Sequence, residues 1–115
     1  MDEYLVLMRL DLITKEKQPT PDQLKVYMEH YQEWVNGIIA QGKFVGGTGL
    51  DAKGKVIKPG GIITDGPFAE IKESLAGFIV IRASNLDEAV EMAKGNPILN
   101  GEGNSVEVRR INGQH

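Results

Sequence analysis

Two short segments of this chain, Tyr4 to Leu10 and Leu75 to Ala83, are apolar at successive positions rather than at alternate ones. A strand with that pattern is buried on both faces, so it belongs at the centre of a sheet rather than at its edge. Any fold for the chain must supply two central strands and cover both of their faces.

The remaining segments supply the partners. Thr20 can cap a helix, Pro21 suits its first position, and Gln23 completes a threonine-x-x-glutamine capping box. Leu24, Tyr27, Met28, Tyr31, Trp34, Val35, Ile38 and Ile39 form one helical stripe, and Gly42 supplies the stop, which predicts a helix from Pro21 to Gln41. Phe44 to Leu50 reads as a strand weakened by Gly46, Gly47 and Gly49, and Asp51 to Gly61 as a hairpin excursion around Val56 and Ile57. Gly61 to Thr64 is a short strand ending at an Asp65 turn. Asn85 caps a second helix, with Glu88 at the capping-box position and Leu86, Ala89, Val90 and Ala93 on the inner face; Gly95-Asn96-Pro97 ends it. Ser105 to Ile111 alternates like a half-exposed strand.

The order strand, helix, strands, strand, helix, strand fits the α+β class and, within it, a ferredoxin-like βαββαβ arrangement with helices on one face of an antiparallel sheet. The first and third main strands are central in that topology, and they are the two segments apolar on both sides. With 115 residues, no repeat and no composition shift, one domain over residues 1–115 is expected. Two helices cover only one face of such a sheet. A second copy of the chain is the simplest cover for the other, so a homodimer through the sheet faces is expected.

Composition excludes several function classes. A net charge of -3 and a solitary Arg109-Arg110 pair give no footprint for a phosphate backbone, so nucleic acid is not an expected partner. The chain has no cysteine, which removes thiol nucleophiles, disulfides and thiolate metal sites. No run approaches membrane-spanning length, and Asp2 and Glu3 before Tyr4 lack the basic start of a signal peptide. The expectation is a cytoplasmic protein with no membrane contact.

The run Asp65-Gly66-Pro67-Phe68-Ala69-Glu70 is followed by Lys72-Glu73, Gly77-Phe78, Leu86-Asp87-Glu88-Ala89 and Gly103 to Arg109, and is preceded by Tyr31, Trp34, Gly42 and Gly46-Gly47-Thr48-Gly49-Leu50. In this order the motifs resemble the DGPF branch of the YCII-related family, over nearly the whole chain. The resemblance implies a ferredoxin-like fold whose dimers form an α/β barrel. It also implies relatives associated with or fused to sigma-factor-like transcription proteins, and one that is a dehydrochlorinase. In the YCII branch a histidine on the first helix and an aspartate at the turn are proposed as a catalytic pair. Asp65 matches the aspartate by motif, and His30 falls at the corresponding distance before Gly42.

Each candidate carries two readings. Asp65 can serve as a general base or orient a histidine, or its oxygens can bond the amides of its own turn. His30 lies on the flank of the helical stripe, one turn before Trp34, and either faces a pocket for proton transfer or leans half-exposed on the indole. Trp34 is core or pocket wall. Gly47 and Gly49 bend their strand, or let a ligand or Trp34 approach its backbone. Gly47-Thr48-Gly49-Leu50-Asp51-Ala52 matches a dinucleotide fingerprint in form only, because Gly54 and Pro59 interrupt the helix that should follow. Phe68 completes the pocket candidates. No histidine and carboxylate cluster has a metal-site spacing, Ser74 and Ser105 have no visible catalytic partner, and neither metal nor cofactor is expected. Two functions remain: a small-molecule enzyme using His30 and Asp65 for lyase-like or hydrolase-like proton transfer, and a non-catalytic dimer that binds a metabolite or a partner protein, such as one linked to transcription.

Overall fold

The computed structural model describes residues 1–10, 19–51, 53–65 and 74–113, with Asp65 described for its backbone alone. The elements run β1 (Asp2–Arg9), α1 (Pro21–Ala40), β2 (Phe44–Gly49), β3 (Lys55–Lys58), β4 (Ile62–Asp65), β5 (Leu75–Ala83), α2 (Leu86–Ala93), a 3-10 turn (Pro97–Asn100) and β6 (Ser105–Arg110). β2, β5, β1 and β6 form a four-stranded sheet in that order, antiparallel at every pairing. β1 and β5 are the central pair, as their two-sided apolar pattern requires. This is the ferredoxin-like α+β topology.

The two faces of the central strands differ. Tyr4, Val6 and Met8 of β1 and Ile79, Ile81 and Ala83 of β5 are buried against Ala89 and Ala93 of α2, Ile38 of α1 and Ile98 of the 3-10 turn, and together they make the core. The alternate residues Leu5, Leu7, Phe78 and Val80 lie on the face opposite the helices, and all four are only half-buried there. Leu5 pairs Val80 and Leu7 pairs Phe78, so the four form one apolar patch.

The edge strand β2 is bent by a bulge. Phe44 pairs Ile81, but the next pairing is Gly46 with Val80, leaving Val45 as the extra residue. Gly47 follows with φ 145°, and a Cβ there would lie 2.3 Å from the Phe78 carbonyl oxygen. What approaches the Gly47 backbone is β5, in place of the ligand or indole considered from sequence. After Gly49 the chain enters the β3–β4 hairpin rather than a helix, so no helix N-terminus stands behind the glycine run.

Both helix starts are side-chain capped. Thr20 Oγ1 accepts the Gln23 amide at 3.2 Å while Gln23 Oε1 accepts the Thr20 amide at 2.9 Å, closing the expected box. At α2, Asn85 Oδ1 accepts the Glu88 amide at 2.8 Å, but the box stays open. The Glu88 carboxylate instead accepts the Ser84 amide at 3.2 Å and Lys43 Nζ at 2.9 Å. A cation on the β2 approach draws it away from the cap.

The helices differ in reach. α1 has 20 residues and α2 only 8, so they extend about 30 Å and 12 Å. α2 therefore shields only the C-terminal half of α1. There Val35 and Ile38 are buried, whereas Leu24 and Met28 of the N-terminal half remain exposed.

Candidate functional site

That difference in length makes the site. Between the N-terminal half of α1 and the near end of the sheet lies a cleft of about 1380 Å³. Small-molecule sites are typically about 300–1,000 Å³, so it can admit a small ligand together with water. Its wall is mainly apolar: Met8 and Leu10 from β1 and its end, Leu24, Tyr27 and Met28 from α1, and Ile98 from the 3-10 turn. Polar groups enter from His30 and Tyr31 on α1 and from Glu102 and Asn104 ahead of β6.

The two tyrosines pack against each other there. Their rings stack with centroids 6.1 Å apart, and Tyr31 lies 5.6 Å from the Trp34 ring. Burial raises the pKa of Tyr27, with the neighbouring Tyr31 adding to it, and burial also raises that of Tyr31. Both phenols are thus held neutral and remain O–H donors well into the alkaline range. In the sequence these residues belong to the apolar stripe of α1. The available signal was the mismatch between a helix predicted over Pro21 to Gln41 and one ending at Gly95: a stripe longer than its partner leaves part of itself to line a space.

The sequence candidates fall in several places. His30 is exposed and lines the cleft. Gly49 also lines it, with the adjacent Leu50 amide donating to the Ala76 carbonyl at 2.7 Å. Gly47 does not line it, being pinned against β5. Trp34 does not line it either; its Nε1 donates to the Met92 carbonyl at 2.9 Å, which places the indole between the two helices. Asp65 ends β4, with its side chain outside the described residues, and Phe68 with the rest of the Gly66–Glu70 run lies outside them as well. Among the described residues no three histidine or carboxylate side chains converge as a metal site would require, and no helix is long and apolar enough to cross a membrane.

A ferredoxin-like sheet with one helix-covered face and a cleft at one end of that layer defines a small α+β domain with one candidate site. Residues 8–112 match the YCII-related domain, and the chain belongs to that family. An uncharacterised protein of Rhizobium meliloti (strain 1021) is 48% identical over 50 residues, which cover 44% of this chain and 40% of that protein, so the match spans less than half the relative's length. Among solved structures, 5-chloro-2-hydroxyhydroquinone dehydrochlorinase from Burkholderia phenoliruptrix AC1100, in complex with 2,5-dihydroxybenzoquinone, is similar with a TM-score of 0.45 and 17% identity, over 91% of this chain and 90% of that one.

Proposed function

We propose that this protein is a small-molecule enzyme in which His30, working with Asp65, transfers a proton to or from a ligand held in the α1 cleft. The observation that carries the reading is the placement of His30 on the wall of an apolar cleft beside two neutral phenols. An imidazole takes up and returns protons near neutral pH, and a carboxylate partner would orient the ring and stabilise its charged form. Tyr27 and Tyr31 would donate hydrogen bonds to an oxygen on which negative charge develops. Such a set suits elimination or hydrolysis.

A panel of activated esters and of carbonyl compounds with a β-leaving group tests this. For any compound turned over, His30→Ala and Asp65→Asn should each lower kcat/KM at least ~10-fold, and the double variant should be little worse than the worse single, because a dyad acts as a unit. Turnover that survives His30→Ala unchanged would discard the dyad.

The exposure of His30 favours a second reading, in which the cleft binds a metabolite or a segment of a partner protein without chemistry. Ligands that shift the amide resonances of Tyr27 and Tyr31, with no turnover across the panel, would establish it.

The patch formed by Leu5, Leu7, Phe78 and Val80 supports a homodimer through the sheet faces. It is framed by the ion pairs Arg82–Glu3 at 3.7 Å, Arg9–Glu107 at 3.4 Å and Arg109–Glu107 at 3.9 Å. An apolar centre with a charged rim of both signs is the anatomy of a protein interface, and mixed signs suit a surface that meets its own copy. Light scattering at micromolar concentration should give twice the chain mass.

A further inference from the structure

The β3–β4 hairpin stands apart from the main sheet. Among the described residues its strands pair only with each other, from Lys55 opposite Asp65 to Lys58 opposite Ile62, and neither joins the four-stranded sheet. Ile57 and Ile63 stand directly opposite each other on one face, with 75% and 60% of their surface exposed, and Ile62 is 57% exposed. A lone two-stranded ribbon is at best marginally stable in water. Bare isoleucines on such a ribbon invite pairing with another chain.

The sheet face has the complementary shortfall. Four side chains that are already partly covered leave far less surface than the roughly 800 Å² that each partner brings to a stable interface. A dimer built on Leu5, Leu7, Phe78 and Val80 alone would be too small to persist. The hairpin carries exposed apolar surface that could enlarge it, and a twofold dimer uses any such contact twice.

We propose that the β3–β4 hairpin is an intersubunit arm: its Ile57–Ile63 face packs on a second copy of this chain and extends the contact between the two sheets. The arm rests on the homodimer reading and gives that dimer its grip. β4 ends at Asp65, so the ribbon that clasps the second copy also fixes the backbone position of the acid in the proposed dyad. Assembly and site geometry are thereby coupled.

The test compares the wild-type chain with the Ile57→Asp/Ile63→Asp variant by analytical ultracentrifugation, with far-UV circular dichroism confirming that the variant keeps its fold. The variant should dimerise at least ~100-fold more weakly, since each arm loses two large apolar side chains from its contact. A monomeric wild type overturns both the dimer and the arm. A dimeric wild type with an unchanged variant overturns the arm and leaves the dimer standing. The chain has no cysteine, so Val56→Cys accepts a single nitroxide on the other face of the ribbon, and this label supplies a measurement independent of the variant's folding. Mixed with unlabelled, isotope-enriched chains, it should broaden resonances in those chains; resonances in them that all stay sharp would also overturn the arm.

Discussion

The indole Nε1 of Trp34 donates to the Met92 carbonyl at 2.9 Å, tying the middle of α1 to the last turn of α2. Gly95 lies under the same ring, where a Cβ would come within 2.8 Å of Trp34 Cδ1. The hydrogen bond and the close approach hold the two helices together side by side.

Trp34→Phe should therefore cost ~1–2 kcal/mol, because it removes the indole's hydrogen bond and leaves the Met92 carbonyl only the longer bond from the Gly95 amide at 3.4 Å. Gly95→Ala should cost ~1–3 kcal/mol by overpacking the indole. Combining them should cost less than the sum, since phenylalanine vacates the space that alanine needs. Urea unfolding of the two single variants and the double gives all three values.

Two other glycines should respond in opposite directions to alanine. At Gly47 the obstacle is the backbone of β5 and the φ of 145° is unfavourable for any side chain, so the loss should exceed ~2 kcal/mol. Gly37 sits in the exposed interior of α1, and a methyl group added there would meet nothing within 4 Å. Gly37→Ala should gain ~0.5–1 kcal/mol through helix propensity. Thermal melts that failed to separate the two variants would contradict the bulge geometry.

Glu88 should make the fold sensitive to acid. Its carboxyl is held below the usual glutamate range by the hydrogen bond from Lys43, with the Ser84 amide adding to this. A depressed carboxyl stabilises the fold above its unfolded-state value and loses that contribution as pH falls through the folded one. Stability should decline over that acidic window, and Glu88→Gln should flatten the decline while lowering stability at neutral pH. Melting temperature followed against pH in both proteins reads the difference.

The alkaline limb has the opposite sign. Tyr27 and Tyr31 titrate above the ordinary tyrosine range, so ionising them costs more in the folded chain than in the unfolded one. Their contribution is complete below that range and disappears as pH rises through their raised values. Tyrosinate absorbance of the native protein should lag that of the chain in denaturant. Tyr31→Phe should reduce the lag, and it should also bring forward the ionisation of Tyr27, which no longer meets a neighbouring phenolate.

The central strands were legible because burial on two faces leaves a direct mark in sequence. Val6 and Leu7 of β1, like Ile79 and Val80 of β5, need apolar side chains on successive residues. The starts of α1 and α2 were legible through Thr20 and Asn85, since a cap is a local interaction. Glu88 was misassigned within its cap because Lys43, which claims its carboxylate, is remote in sequence. The cleft left only an indirect mark, in the unequal lengths of the two helices: Tyr27, Tyr31 and Trp34 share one stripe, and the short reach of α2 determines which of them are packed and which face a space.

The four main strands give the molecule two unlike ends. At one, the Arg82 amide donates to the Lys43 carbonyl at 2.7 Å, Lys43 holds Glu88, and Asn85 starts α2. At the other lie Leu10, Leu50, Ala76 and Asn104, all of them on the wall of the cleft. One pole is closed by the Lys43–Glu88 pair, whereas the other opens into the candidate cleft, where the Thr20–Gln23 cap starts α1 on the cleft wall. Substitutions on the open wall, at Leu10, Leu50 or Ala76, would therefore reshape the cleft without touching the Lys43–Glu88 clasp at the far end.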